Sequence, residues 1–223
     1  MIVVYEDNHI IIVSKSSGEI VQADKTGDKP LPEMVKEYIK KKYQKPGDVF
    51  LGVVHRLDRP VEGLVIFART SKALTRLNDM FRKEEIKKTY WAIVQNRPPQ
   101  EEGELVNWLA HNERQNKSFI RKGEGRGAKK AILKYKMISA TEHYTLLEVR
   151  LLTGRHHQIR CQLSGIGCPI KGDLKYGAKR SNPNGGISLL ARHVESIHPV
   201  SKKLLSVDAP LPKDNLWRDT APS

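Results

Sequence analysis

Cysteine and long apolar runs are both scarce in this chain. Cys161 and Cys168 are the only cysteines among 223 residues, and their spacing does not match a zinc site. Such sparse use of cysteine is typical of a reducing compartment, so we expect a cytoplasmic protein. No apolar run approaches the ~20 residues of a membrane span. The start, Met1 to Asp7, lacks the basic and apolar regions of a secretory signal, and we expect no leader.

Acidic residues are too few to balance the basic ones. The chain has 39 Lys and Arg against 25 Asp and Glu, a net charge of +14. An excess of this size indicates a polyanionic partner, either a nucleic acid or an anionic membrane surface. No basic amphipathic helix with Trp or Phe on its apolar face is evident, so we expect a nucleic acid and no membrane. The alternative is a basic surface that is merely solvated.

The positive charge is concentrated in residues 114–136, called the basic segment here. The segment contains nine Lys and Arg and one acidic residue, Glu124, so its net charge is +8. Glycines at 123, 125 and 127 interrupt it. Two interpretations remain open: a glycine-rich loop that follows a phosphate backbone, or the exposed tip of a hairpin with ordinary solubilising charges.

Strand-like segments outnumber helix-like ones. Apolar residues at helical spacing predict a helix over 32–42 and a second one, capped by Ser71, that runs to about residue 84. A third helix is predicted over 155–163, opened by Gly154. We therefore expect an α+β fold with a large mixed, mostly antiparallel sheet and flanking helices. The predicted strands lie within 3–15, 64–68, 89–94, 131–138, 144–152, 187–191 and 204–207, and loops at 22–31, 97–104 and 172–186.

Three short blocks concentrate reactive side chains. The first, His55-Arg56-Leu57-Asp58-Arg59, places a carboxylate between two arginines on a short connection before an apolar run. Flanking arginines favour the ionised form of a carboxylate, although a structural salt bridge would give the same pattern. The other blocks are Lys88-Thr89-Tyr90 and the run from Gly154 through Arg155-His156-His157-Gln158-Ile159 to Arg160.

In this order and at these separations, the blocks resemble the pseudouridine synthases of the ribosomal-large-subunit type A family. The resemblance extends over nearly the whole chain, from Val4 to Pro199. It implies an isomerase that breaks the N1–C1′ bond of a uridine in rRNA or tRNA and joins C5 to C1′. It also implies one pseudouridine synthase catalytic domain over residues 1–223, with no separate N-terminal RNA-binding domain, no cofactor, structured RNA as partner and a monomeric state.

The same resemblance implies the catalytic residues. Asp58 would be the carboxylate that either attacks as a nucleophile or removes a proton from the sugar, and the sequence does not choose between these routes. Arg160 would be its cationic partner, because a guanidinium can hold a carboxylate with two hydrogen bonds. Tyr90 would stack on the flipped uracil or assist proton removal from C5. The ordinary alternatives are a structural arginine and a core tyrosine.

Substrate binding is implied for a second group of residues. Arg56 would enter the RNA helix in place of the extruded nucleotide. Leu189 would form an apolar wall under the base, although one more core leucine would look the same. The remaining candidates, which would bind phosphate or support the pocket, are His55, Arg155, His156, Gln158 and Ile159.

The chain also departs from the family pattern. A Thr-Ser-Gly run becomes Val61-Glu62-Gly63, a Lys-Pro pair becomes Lys15-Ser16, and Leu-His-Ala becomes Leu189-Leu190-Ala191. None of these changes removes Asp58, Tyr90 or Arg160. The acid at Glu62 makes the RNA specificity of the family harder to transfer.

Two other functions compete with an isomerase. A non-catalytic RNA-binding or ribosome-assembly protein would explain the charge, but not the presence of the three catalytic candidates together. A metal-dependent hydrolase could use His55, Asp58, His156, His157, His193 and His198, but the spacing of these residues matches no known metal motif.

Overall fold

The structure, a computed structural model, describes residues 1–24, 26–125 and 127–222. Arg126, a member of the basic segment, lies outside the described residues. The chain forms two compact units. They consist of residues 1–87 with 191–210, and of residues 88–190 with 211–223.

Strands outnumber helices in both units, as the sequence predicts. A short 3-10 turn, Leu174–Tyr176, interrupts the loop before the last two strands. The strands are β1 (Ile2–Glu6), β2 (Ile10–Lys15), β3 (Gly52–Val53), β4 (Glu62–Ala68), β5 (Lys87–Gln95), β6 (Glu102–Asn112), β7 (Lys117–Arg121), β8 (Lys129–Ala140), β9 (Tyr144–Leu151), β10 (Leu189–Ile197) and β11 (Leu204–Asp208). The helices are α1 (Leu31–Lys42), α2 (Ser71–Arg82), α3 (Gln158–Gly165) and α4 (Asn215–Thr220).

The first unit is built around β2, whose six residues are all buried. Three isoleucines and Val13 fill both faces of this strand, a pattern that is typical of a strand covered on two sides. The strands follow the order β1-β2-β4-β10-β11, and β3 also pairs with β4. β2 ends at Lys15, a charged residue that is only 1% exposed.

The two helices of the first unit begin close to their predicted positions. Pro32 occupies the first turn of α1, where a missing N–H is harmless. α2 is capped by Thr70 rather than by the predicted Ser71, because Thr70 has an extended backbone and its hydroxyl accepts from the Ala73 N–H at 3.2 Å. Ser71 is then the first helical residue.

The second unit contains five strands in the order β5-β9-β8-β6-β7. All four of these pairings are antiparallel. α3 lies against one face of this sheet, where Cys161 joins Leu109, Ala131 and Tyr176 in a buried cluster. The side chains of β6 and β8 that point the other way therefore form the opposite face.

The basic segment is neither one open loop nor a hairpin. Its strands β7 and β8 both pair with β6, on opposite sides of it, and an isolated bridge between Gly125 and Ala128 lies in the connection between them. The sequence does not predict β6 or β7, and β6 begins inside the predicted loop 97–104. Most residues of β6 are exposed or half-buried, so the strand lacks the regular apolar alternation that would reveal it.

α3 begins later than the predicted helix over 155–163. His157, directly before it, has a left-handed backbone with φ of 51°. The side-chain oxygen of Gln158 accepts from the Arg155 N–H at 3.0 Å, which holds residues 155–157 as a turn. Arg155 and His156 are therefore displayed on this turn, not on the helix.

The prediction of an α+β fold with mostly antiparallel pairing and flanking helices is confirmed. Every pairing with a resolved register inside the two units is antiparallel. The prediction of one catalytic domain over residues 1–223 stays a prediction. Within the described ranges, no helix combines the length and apolar character that crossing a membrane requires.

Candidate active site

The loop that carries Asp58 connects β3 to β4 in the first unit. Leu57 is buried, whereas Asp58 is half-buried, so the loop is anchored by its apolar side chain and leaves the carboxylate partly accessible. The Val61 N–H donates to the Asp58 carbonyl at 3.0 Å, which closes a turn directly after Asp58. Asp58 is therefore presented from a defined turn.

Lys15 holds this loop from the interior of the unit. Its ammonium donates to the carbonyl oxygens of Ser16 at 3.1 Å, Arg59 at 3.0 Å and Val61 at 2.6 Å. An ammonium has three N–H donors, and a buried charge is tolerated when its hydrogen bonds are satisfied. Two of the three acceptors belong to the turn that follows Asp58. Lys15 therefore fixes the position of this turn.

The same ammonium is a buried cation that interacts electrostatically with Asp58. Burial lowers the pKa of Lys15 to about 8, while the carboxylates of Glu19, Glu62 and Asp58 oppose the shift. Opposite charges favour each other's ionised forms, so Lys15 favours an ionised Asp58. The carboxylate of Glu62, at a position where this chain departs from the family pattern, is one of the charges that raise the pKa of Lys15.

The two arginines of the first block contact other partners. Arg56 is exposed and donates to the Gln22 side-chain oxygen at 2.9 Å. Arg59 forms ion pairs with Asp28 at 2.7 Å and Asp24 at 3.0 Å. Both arginines therefore bond to residues other than Asp58, and Lys15 adds a positive charge in the electrostatic surroundings of Asp58.

His55 is built into the first unit. Its Nε2 accepts a hydrogen bond from the Ile66 N–H at 2.9 Å, and its ring stacks on Phe81 with 4.7 Å between centroids. Because Nε2 accepts, the proton of a neutral ring lies on Nδ1. His55, which lies two residues after β3, therefore accepts a hydrogen bond from the backbone of β4. Its predicted role in substrate binding stays a prediction.

Gly63 allows β4 to approach the backbone of β10. It has a φ of +112°, a conformation that side chains rarely adopt. A Cβ at this position would lie 2.4 Å from the Ala191 carbonyl oxygen, far inside normal contact. The glycine that follows Glu62 is thus required by packing at the point where the Asp58 loop joins β4.

In the second unit, Arg160 is held by a carboxylate that the sequence does not reveal. Its Nε donates to Asp173 Oδ2 at 2.7 Å, and its Nη2 donates to Oδ1 at 2.9 Å. This is a two-bond pairing of guanidinium with carboxylate, which fixes the plane of the guanidinium. Arg160 is 5% exposed and Asp173 is 1% exposed, so both charges are buried. Asp173 thus fixes the orientation of Arg160.

His157 and Tyr176 complete the surroundings of Arg160. Arg160 Nη1 lies 2.9 Å from His157 Nε2, and His157 Nδ1 lies 3.0 Å from the Tyr176 hydroxyl. A guanidinium can only donate, so Nε2 accepts and the proton lies on Nδ1. Burial lowers the pKa of His157 to about 2, and the charge of Arg160 acts in the same direction. The ring is therefore neutral, and the Tyr176 oxygen also accepts from the Ser118 N–H at 2.8 Å.

Gln158 is engaged by the protein itself. Its side-chain oxygen accepts from the Thr153 hydroxyl at 2.8 Å and from the Arg155 N–H. Its side-chain nitrogen donates to the Ile132 carbonyl at 3.0 Å, and Gln158 is only 3% exposed. These bonds join the turn before α3 to β8. The predicted contact of Gln158 with substrate stays a prediction.

The two residues on that turn are more accessible. Arg155 is exposed, and its Nε donates to the Lys130 carbonyl at 2.9 Å. His156 is half-buried, with its ring nitrogens 2.9 Å from the Ser118 hydroxyl and 3.1 Å from the Asn116 side-chain oxygen. The predicted roles of Arg155 and His156 in binding phosphate or supporting the pocket stay predictions.

The aromatic and apolar candidates are buried in the second unit. Tyr90 lies on β5 opposite Val149 and is 7% exposed. Ile159 and Leu189 are each 4% exposed, on α3 and at the start of β10. The structure thus groups Tyr90, Leu189 and the residues around Arg160 in the second unit, and groups Asp58 with His55 and Arg56 in the first.

Sequence reasoning missed Lys15, Asp173 and Tyr176. Two signals pointed to Lys15: it ends a mostly apolar strand, and it retains the lysine of the family's Lys-Pro pair. Asp173 and Tyr176 lie in a Gly- and Asn-rich stretch that reads as an ordinary loop, although a buried arginine always requires a carboxylate or several acceptors. In the part of the chain that the structure describes, no group of three His, Cys, Asp or Glu could hold a metal ion.

The sequence comparisons agree with this arrangement of motifs. Residues 9–165 match the sequence model described as RNA pseudouridylate synthase. The "Ribosomal large subunit pseudouridine synthase D" of Zymomonas mobilis is 32% identical over 222 residues, which cover 95% of this chain and 69% of that protein. An "Uncharacterized RNA pseudouridine synthase" of Bacillus subtilis is 30% identical over 227 residues, 97% of this chain and 71% of that protein.

A solved structure has the same fold. "Human RNA Pseudouridylate Synthase Domain Containing 4" superimposes with a TM-score of 0.80 over 95% of this chain and 89% of that one. Its sequence identity is 23%, so this likeness bears on the fold alone.

Replacing Lys15 by Met tests its role as the anchor of the Asp58 loop. The change keeps the length of the side chain but leaves three carbonyl oxygens without their donor. We expect a loss of roughly 2–4 kcal/mol in the free energy of unfolding, measured by urea denaturation. Lys40→Met, on the exposed side of α1, is the control and should change the stability by less than about 0.5 kcal/mol. Equal effects of the two changes would contradict the anchor.

Replacing His157 by Asn tests the neutral, buried histidine. Its folded pKa of about 2 lies below the ordinary value of 6.5. The unfolded chain therefore binds more protons between these values, and the stability contributed by His157 is complete above pH 6.5 and is lost as the pH falls. The wild type should lose roughly 2–3 kcal/mol more than His157→Asn between pH 6.5 and 4.

Asparagine suits this position because it tolerates a left-handed backbone. His143→Asn, in the exposed turn between β8 and β9, is the matched control and should follow the wild type. Parallel pH profiles for the wild type and His157→Asn would show that His157 is protonated normally in the folded protein.

Proposed function

This chain belongs to the RNA pseudouridylate synthase family and isomerises uridine in RNA to pseudouridine, and we propose that Asp58 is the carboxylate that performs the reaction. The observation that carries this proposal is the turn after Asp58. Lys15 anchors it from within, while the adjacent arginines bind elsewhere. An accessible carboxylate on a fixed turn is suited to chemistry, because loops positioned by a rigid scaffold present reactive groups.

The reaction rearranges one nucleotide without adding or removing atoms. The N1–C1′ bond breaks, the uracil turns, C5 bonds to C1′, the proton on C5 leaves and N1 gains a proton. Asp58 acts in its ionised form, either as a nucleophile that forms a transient covalent bond or as a base that takes a proton from the sugar. The buried ammonium of Lys15 supports that ionised form. No oxidant or reductant is needed to balance these steps.

Other side chains bind and position the uridine in this proposal. Tyr90 and Leu189 contact the uracil, and the low exposure of both supports a dry surrounding for the base. Arg160 supplies a fixed positive charge, which its two bonds to Asp173 orient. Arg56 is exposed and fits the role of filling the gap left by an extruded nucleotide.

The RNA substrate is proposed from charge and from the named relative. The net charge of +14 suits a long phosphate backbone. The Zymomonas mobilis relative is named for the large ribosomal subunit, so we propose a structured ribosomal RNA, with transfer RNA as the second choice. A monomeric state and cytoplasmic location stay predictions. Mapping pseudouridine in cellular RNA with and without the protein identifies the position.

Replacing Asp58 by Asn tests the catalytic carboxylate. We expect turnover to fall below detection and RNA affinity to change by only a few-fold, because binding comes from basic groups distributed over the chain. The assay is tritium release from C5-tritiated uridine in ribosomal RNA of a strain that lacks the protein. Asp79→Asn, on the exposed side of α2, is the matched control and should retain activity. Substantial turnover by Asp58→Asn would assign the chemistry to another residue.

Arg160 and Asp173 are tested together, because removing one partner of a buried ion pair leaves the other charge unpaired. Asp173→Leu should lower the free energy of unfolding by about 3–5 kcal/mol, and the double variant Arg160→Met/Asp173→Leu should recover most of that loss. If Arg160 acts in the reaction, the stable double variant should still turn over at least ~100-fold more slowly than the wild type.

The exposed pair Arg97 and Glu101 provides the control for this experiment. Its double replacement, Arg97→Met/Glu101→Leu, should leave both stability and turnover nearly unchanged. If Arg160→Met/Asp173→Leu recovered turnover as well as stability, Arg160 would have only a structural role.

A further inference from the structure

The registers of β7 and β8 on β6 place the residues of the basic segment on one or the other face of the second unit's sheet. Side chains directly opposite each other on antiparallel strands share a face. Lys129 pairs with Leu109, which belongs to the buried cluster with α3. Lys130 pairs with Trp108 and therefore points to the opposite face. The side chains of Lys129 and Lys130, adjacent in sequence, thus lie on opposite faces of the sheet.

Trp108 lies between two cations on this opposite face. It pairs with Lys130 on one side and with Arg121 on the other, so the indole is flanked by positive side chains on both neighbouring strands. Trp108 is half-buried, whereas Arg121 and Lys130 are exposed. The position two residues earlier on β6 carries Val106, which is 48% exposed. We call the surface formed by these four residues the Trp108 face.

The cations of the Trp108 face differ from other cations on the same side of the sheet. Lys134 pairs with Glu104 at 3.6 Å, and Arg150 pairs with Glu148 at 3.0 Å. In contrast, no salt bridge among the described residues includes Arg121 or Lys130. Their charge is therefore available to an external anion. An aromatic ring between two available cations matches the chemistry of a nucleotide, which has a flat base and an anionic phosphate on each side.

We propose that the Trp108 face binds an unpaired nucleotide of the RNA substrate, with its base stacked on Trp108 and its phosphates contacting Arg121 and Lys130. The proposal rests on the proposed function only in taking RNA as the substrate. Single-stranded nucleic acid is favoured over a duplex, because stacking on an aromatic side chain requires an exposed base face. It is favoured over a protein partner because lysine is depleted in the cores of protein interfaces. This subsite would hold RNA outside the reacting uridine.

Replacing Trp108 by Leu tests the stacking contact. Leucine keeps an apolar side chain but removes the ring. We expect the dissociation constant for a fluorescein-labelled single-stranded oligouridylate to rise about 5- to 150-fold, measured by anisotropy. Trp108→Phe should stay within a few-fold of the wild type, and a blunt-ended, fully paired RNA duplex should bind both variants almost equally. Unchanged binding of oligouridylate by Trp108→Leu would overturn the proposal.

The lysine pair supplies a control that does not depend on the folding of a tryptophan variant. Lys130→Gln and Lys129→Gln remove the same charge from adjacent positions on opposite faces. We expect Lys130→Gln to reduce the slope of log affinity against log salt by ~0.7, and Lys129→Gln to leave it unchanged. Equal changes in slope would mean that the sheet register does not decide RNA contact, and would overturn the proposal.

Turnover separates this proposal from the proposed function. At saturating RNA, Trp108→Leu should isomerise uridine at nearly the wild-type rate, because Trp108 contributes binding and not chemistry. A loss of saturated turnover with intact oligouridylate binding would contradict a binding subsite. An inactive wild type would overturn the catalytic proposal alone, since the oligouridylate measurements would still decide whether the Trp108 face binds RNA.

Discussion

A buried ammonium fixes the position of the carboxylate on which the proposed chemistry depends. Lys15 lies at the end of a fully buried strand, and its hydrogen bonds hold the turn that follows Asp58. Removing a charge from water is unfavourable unless every donor is satisfied, so the loop and the lysine stabilise each other. The result is a partly accessible carboxylate at a turn that hydrogen bonds from the interior hold in place.

In the second unit, too, a buried charged residue fixes a residue of the motif blocks, but here the supporting residue is the acid Asp173. Arg160 is buried and must be neutralised, and Asp173 does so with two parallel hydrogen bonds. His157 stays neutral beside it, so the surroundings add a hydrogen-bond acceptor without a second positive charge. In both units, a buried charged residue outside the three blocks supports a residue within them, since Lys15 holds the turn after Asp58 and Asp173 orients Arg160. Such supporting residues determine whether a site is rigid enough for chemistry.

The sequence predicted β2 and β4, α2, the helix that carries Arg160 and the α+β fold, but not the two-residue strand β3. These predictions succeeded because β2 and β4 are continuous apolar runs, α2 has apolar residues at helical spacing and the motif blocks are specific. Lys15 and Asp173 could not be predicted, because their partners are backbone carbonyls or a side chain that only the folded chain brings near. The helix begins at Gln158 and not at residue 155 as predicted, because His157 has a left-handed backbone. The position of Trp108 between Arg121 and Lys130 depends on strand register, which follows from pairing and not from composition.

The central claim, that Asp58 is the reacting carboxylate, is tested most directly by a crystal structure of the protein with RNA that contains 5-fluorouridine at the modified position. Fluorine at C5 cannot leave as a proton, so the nucleotide should remain in the site. The account predicts that an Asp58 carboxylate oxygen lies within about 3.5 Å of the sugar C1′ or C2′ of this nucleotide, or is bonded to the nucleotide covalently. A uridine sugar that is in contact with a different carboxylate, with Asp58 remote from it, would contradict the account.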